Sequence, residues 1–126
     1  MWSPMSSDDL SDEIAASVPK MEAKERLLWD LVQIPPVKWG LHPWGDLGGG
    51  FWIVGIIGRQ VIWYNDIEHG FNVSSYTHPD TIVEYLCDQT ELHHVIWQLR
   101  QQIESGTPLS SFGPPQSLEK SADADA

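Results

Sequence analysis

Apolar and polar positions divide the chain into a dense centre and sparse ends. In the stretch Phe51–Ile57 apolar side chains occupy both parities, with Phe51, Ile53 and Ile57 on one face and Trp52, Val54 and Ile56 on the other. A strand that is apolar on both sides needs a cover on each. Gly58-Arg59 is a Gly-X pair suited to a two-residue type II′ hairpin. Residues 60–66 continue as a second strand, with Val61, Trp63 and Asn65 opposite Ile62, Tyr64 and Asp66. Glu68-His69-Gly70 marks the next turn, and 71–76 reads as a shorter, more polar strand at the sheet edge.

On either side of this meander the period becomes helical. Ser17 or Val18 caps a helix over 19–33, and Pro19 suits its first turn. Met21, Leu28, Leu31 and Val32 share one face of it, with Leu27 beside them, until Pro35-Pro36 ends it. Pro79 opens a short helix to Cys87 that turns Ile82, Val83 and Leu86 inward. Asp88 and Glu91 form a capping box for a helix over 89–104. Its stripe, Leu92, Val95, Ile96, Leu99 and Ile103, is the cleanest amphipathic pattern in the chain, with His93, Gln98, Arg100 and Gln101 outward. The loop 37–50, VKWGLHPWGDLGGG, carries Trp39 and Trp44 and is expected to fold back over the sheet.

The predicted fold is α+β: a three-stranded or four-stranded antiparallel meander, with the flanking 19–33 and 89–104 helices packed on one face and the Trp-rich loop on the other. Residues 17–104 form a single domain. Residues 1–16 read as a flexible acidic segment, in which Leu10 and Ile14 sit one helical turn apart, and 105–126 as a disordered acidic tail.

Composition narrows the partners. Eighteen acidic residues against 7 basic ones give a formal charge of −11, which repels nucleic acid and anionic membranes and favours a basic protein. Seven tryptophans let a small core bury a large area. One cysteine, Cys87, excludes an intrachain disulfide and fits a reducing compartment. No apolar run approaches the roughly 20 residues that span a bilayer, and the acidic start MWSPMSSDDLSDE is unlike a signal peptide. A cytoplasmic location is expected.

Polar chemistry gathers around the turn that holds Asn65, Asp66, Glu68, His69 and Asn72, with His42 and Asp46 in the loop as further groups. Metal binding or acid–base work needs three or four of them to converge, and Asp66-x-Glu68-His69 is diagnostic of no known site. Asn and Asp at strand ends more commonly set turns. Adjacent helical residues point about 100° apart, so His93 and His94 cannot chelate together. Cys87 has no nucleophile motif around it and reads as a small buried hydrophobe. Gly45 and Gly48 to Gly50 precede a strand and lack a Lys-Ser/Thr ending, unlike a phosphate loop. No catalytic residue, metal site or cofactor is assigned. The candidate binding residues are Trp44, Asp46, Tyr64, Asp66, Glu68, His69 and Asn72: acidic groups to speed encounter, aromatic groups as anchors.

The segments HPWGDLGGGFW (42–52) and VIWYNDIEHGFN (61–72) resemble those of small uncharacterised bacterial proteins. By composition the chain is also similar to bacterial toxin-immunity proteins. The resemblance implies a non-catalytic module that binds a basic partner, such as an immunity or inhibitor protein facing a toxin. The alternative is a small enzyme or ligand-binding domain with a cleft between the loop 37–50 and the turn 65–72. A homodimer through the edge strand 71–76 is a third expectation.

Overall fold

A computed structural model describes residues 2–106 and shows an α+β fold. Helices α1 (Ser7–Ser17) and α2 (Ala23–Val32) lead into strand β1 (Gln33–Trp39). Strands β2 (Phe51–Ile57), β3 (Gln60–Asn65) and β4 (Gly70–Ser75) follow, and helix α3 (Leu92–Ser105) closes the fold. The four strands form one antiparallel sheet in the order β1-β2-β3-β4.

The β2–β3 hairpin is central, and both its faces are covered. Val54, Ile62 and Tyr64 meet Leu10, Trp29, Val95 and Leu99 of the three helices. Phe51, Ile53, Val61 and Trp63 meet Trp39 at the end of β1 and Leu41, Ile82 and Tyr85 from the two irregular stretches, 40–50 and 76–91. The strict alternation expected along β2 fails at its end. A register shift between Ile53 and Gly55 inserts one residue, which reverses parity beyond it. Ile56 therefore joins the Trp63 side and Ile57 the helical side.

The fourth strand is β1, which takes in Gln33 to Pro36, where a helix end was expected. Its pairing with β2 is irregular between Gln33 and Val37. Pro35 and Pro36 cannot donate to a ladder and are tolerated because β1 is an edge.

The single helix expected over 19–33 is interrupted. Pro19 lies in a 3₁₀ turn, Val18–Lys20, that ends α1, and Met21 and Glu22 are extended before α2 begins. The new start resets which side faces inward. Glu25, Trp29 and Val32 are buried, while Leu27 and Leu31 stand in solvent. Glu25 is tolerated inside because the Arg100 Nε of α3 lies 2.8 Å from its Oε2. That contact is an ion pair whose geometry falls short of a hydrogen bond. Arg100 therefore faces α2 and not solvent. In α3, Leu92, Val95, Ile96 and Leu99 are buried as the stripe predicts, whereas Ile103 is exposed.

No helix forms over 79–87. Asp80 adopts a left-handed φ of 75°, which a helix does not tolerate. Backbone bonds there go sideways: Gly40 N–H donates to Asp80 O, Ile82 N–H to Gly40 O and Val83 N–H to Ser75 O. The Asp88 capping box is absent too, because 88–90 is drawn onto β4. Phe71 N–H donates to Thr90 O, and Gly70 lies so close that a Cβ there would stand 2.2 Å from Asp88 O. The outer edge of β4, on which a homodimer was expected, thus meets the chain's own backbone at Phe71 and at Ser75.

Residues 7–16, expected to belong to a flexible segment, are helical. Ser6 caps α1 by accepting from Asp9 N–H. Leu10 is fully buried and Ile14 packs beside it. The tail 107–126 lies outside the described residues. Leu10→Ala should destabilise the protein by about 2–5 kcal/mol in urea unfolding, whereas an undocked segment would give no change.

Candidate functional site

Two turns and one terminal strap decide where the candidate residues lie. At the end of β3, Asn65 is fully buried; its Oδ1 accepts from Ile67 and Glu68 N–H and its Nδ2 donates to Leu86 O. Asn65 therefore sets the turn and holds the irregular cover at once. Asn72 acts in the same way on β4. Its Oδ1 accepts from Asp88 N–H at 2.9 Å while its Nδ2 donates to Asp88 O and Gly70 O. Asn72 is a structural side chain, not one presented to a partner.

Asp66 is also interior. Its Oδ2 accepts from Met5 N–H at 2.7 Å, and Met5 O in turn accepts from the Trp52 indole at 2.8 Å. The strap before α1 is thereby clamped on both its backbone groups. Burial pushes the Asp66 carboxyl above its ordinary value. The Met5 and Asp66 backbone N–H groups, Lys38 and the Trp2 indole oppose that shift without reversing it. Trp2 lies close enough to act on Asp66, yet Trp2 Nε1 and Asp66 Oδ1, both buried, complete no hydrogen bond.

The remaining candidates fall in two places. Trp44 is 39% exposed and stacks on Tyr85 with ring centroids 4.2 Å apart. Asp46, in the loop before β2, pairs with His42. Tyr64, Glu68 and His69 instead line a groove of about 430 Å³, together with Glu13, Phe71 and Glu91. No residue of the loop 37–50 lines that groove, so it is not the cleft expected between the loop and the turn 65–72. Its walls are α1, the β3–β4 turn and the stretch 89–91.

The groove is acidic. Glu13 and Glu68 line it, and Glu91 meets Lys20 Nζ at 3.5 Å and His93 Nδ1 at 3.3 Å. The Tyr64 phenol is held up to about 12 by burial and by the Glu13 and Asp66 carboxylates, so it stays neutral across the physiological range. His69 is exposed in a left-handed turn conformation. Sequence reasoning missed Glu13, assigned to a flexible segment, and Glu91, assigned to a cap. The spacing of Leu10 and Ile14 was the available signal for Glu13, since a helix docked through them carries Glu13 along its flank.

The four groups on which an enzyme reading depends do not converge. His42 is bound to Asp46, Asp66 is clamped on the strap, and His69 is exposed in its own turn. Among the described residues no three His, Cys, Asp or Glu side chains are placed to hold a metal ion. His93 is at the core margin and His94 is exposed, with ring centroids 4.3 Å apart. Cys87 is half-buried against the Trp63 cluster, and burial raises its thiol pKa, which works against nucleophilic use. Comparison of the chain with protein-family models, curated proteins and solved structures finds no match in any of the three.

The raised carboxyl of Asp66 has a consequence for stability. Its unfolded value is the ordinary 3.8 and its folded value is higher, so the native state binds more protons between the two. The contribution of Asp66 is present below 3.8 and is lost as pH rises through the folded value. Asp66→Asn keeps an acceptor for Met5 N–H and cannot ionise. In urea unfolding from about pH 4 to about pH 7, the stability of this variant relative to wild type should rise with pH and then level. A difference that stays flat would show that Asp66 does not titrate in that window.

Proposed function

We propose that this protein is a non-catalytic binding module that engages a protein partner with a basic surface, in the manner of a bacterial immunity or inhibitor protein that neutralises a toxin. The observation that carries this reading is the gathering of Glu13, Glu68 and Glu91, from three separate stretches of chain, around one concavity that Tyr64 and Phe71 also line. A net charge of −11 adds long-range attraction for a basic partner, and such steering raises association rates. The scatter of His42, Asp46, Asp66 and His69 supports binding over catalysis.

Of the candidate contacts, Tyr64, Glu68 and His69 belong to the binding face, joined by Glu13 and Glu91. Trp44 and Asp46 form a second exposed patch and are the aromatic and acidic members of a wider footprint. Asp66 and Asn72 serve the fold, so their replacement is a poor test of binding. No helix among the described residues is long and apolar enough to cross a membrane. The cytosolic setting we assign rests on the single cysteine and the acidic composition.

The test is kinetic. With a basic protein captured from source cells, Glu13→Lys combined with Glu68→Lys should slow association by about tenfold or more at low salt and flatten its salt dependence. Glu13 is exposed and Glu68 half-exposed at the groove, so the fold should survive. An unchanged on-rate would overturn the reading.

A further inference from the structure

Resting on that reading, the geometry points to a narrower assignment: the groove between α1, the β3–β4 turn and residues 89–91 receives the guanidinium group of an arginine side chain from the partner. The argument begins with Tyr64. It is only 4% exposed and belongs to the helical-side core, yet it lines the groove, and its hydroxyl makes no hydrogen bond to any described residue. That hydroxyl is not sealed from solvent. Here the partner position opens into the groove, where an entering group can fill it.

The rim sets the sign of that group. Glu13, Glu68 and Glu91 line the groove from three stretches of chain, and Lys20, 3.5 Å from Glu91 Oε2, already brings one cation of the protein to Glu91. A metal ion is not the occupant suggested, because the carboxylates do not converge as ligands. A volume of about 430 Å³ instead suits an organic side chain.

Guanidinium fits better than ammonium. It is planar and weakly hydrated, it packs on aromatic surface such as Phe71 and Tyr64, and its five N–H donors can serve separate carboxylates and the phenol oxygen together. An ammonium has three donors on one compact, strongly hydrated centre. The Tyr64 hydroxyl stays neutral, held up to about 12, and so offers lone pairs without becoming an anion.

The assignment is tested on the full chain by following backbone amide NMR signals during titration with N-butylguanidinium chloride and, separately, N-butylammonium chloride at matched ionic strength. Saturable shifts at Gly70, Phe71 and Thr90 are expected with the guanidinium compound, and weaker ones with the ammonium. Tyr64→Phe should weaken guanidinium binding by about threefold to tenfold with no change in unfolding midpoint, since the hydroxyl holds nothing in the fold. Shifts that are absent, equal for both cations or insensitive to Tyr64→Phe would overturn the assignment, even if charge reversal at Glu13 and Glu68 still slowed the partner. Saturable binding in the groove with an unchanged partner on-rate would instead overturn the reading beneath it, leaving a free guanidinium compound as the occupant.

Discussion

Trp63 and its neighbours on the central hairpin impose the constraint from which the rest follows. Both faces of β2 and β3 are apolar, so water must be kept from each. One face is covered by helices, which satisfy their own backbone. The other is covered by irregular chain, whose N–H and C=O groups have no ladder of their own and would be costly to bury unpaired. The side chains of Asn65, Asn72 and Ser74 solve that problem. Ser74 accepts from the Trp63 indole and donates to Glu84 O, Asn65 donates to Leu86 O, and Asn72 bonds Asp88 on both its backbone groups. These buried polar residues make the irregular cover specific.

The same physics fixes the other end of the chain. Asp66 and Trp52 clamp the two backbone groups of Met5, and Leu10 enters the helical-side core. Once the strap is held, α1 has one position, and that position brings Glu13 to Tyr64. The groove is thus a by-product of how the two covers meet at the β3–β4 turn. The chain leaving β3 is turned by Asn65, and the chain entering α3 is pinned to Phe71, so Glu68 and Glu91 line the same groove. Like charges gathered at one groove favour a cation that enters it.

How far the fold was legible varied with the range of the interactions that decide it. The β2–β3 hairpin, the faces of β3 and the inward stripe of α3 through Leu99 follow from local periodicity and turn chemistry, and the structure bears them out. The swap of Ile56 and Ile57 was hidden because a bulge adds a residue without a sequence marker as plain as Gly-Arg at the turn. The helical pattern of Ile82, Val83 and Leu86 misled because three apolar residues at short spacing suit a helix and an extended cover equally. Only the backbone partners offered by Gly40, Ser74 and Ser75 chose between them. For α2, the apolar count on Leu27 and Leu31 was outweighed by the larger surface of Trp29 and by Arg100, a partner distant in sequence that makes Glu25 acceptable inside.

Among the candidate site residues the same division holds. The sequence by itself determined that polar groups would crowd the turn after β3, that Asn65 would set it, and that the surface would be strongly acidic, because these depend on residue type and near neighbours. Tertiary structure alone decided that Asp66 and Asn72 turn inward, since each answers a backbone group far along the chain. It also decided that Tyr64, which reads as an ordinary strand aromatic, ends beneath Glu13 with its hydroxyl unclaimed. A hydroxyl's lack of a partner is a property of the packed neighbourhood, and no pattern along the chain encodes it.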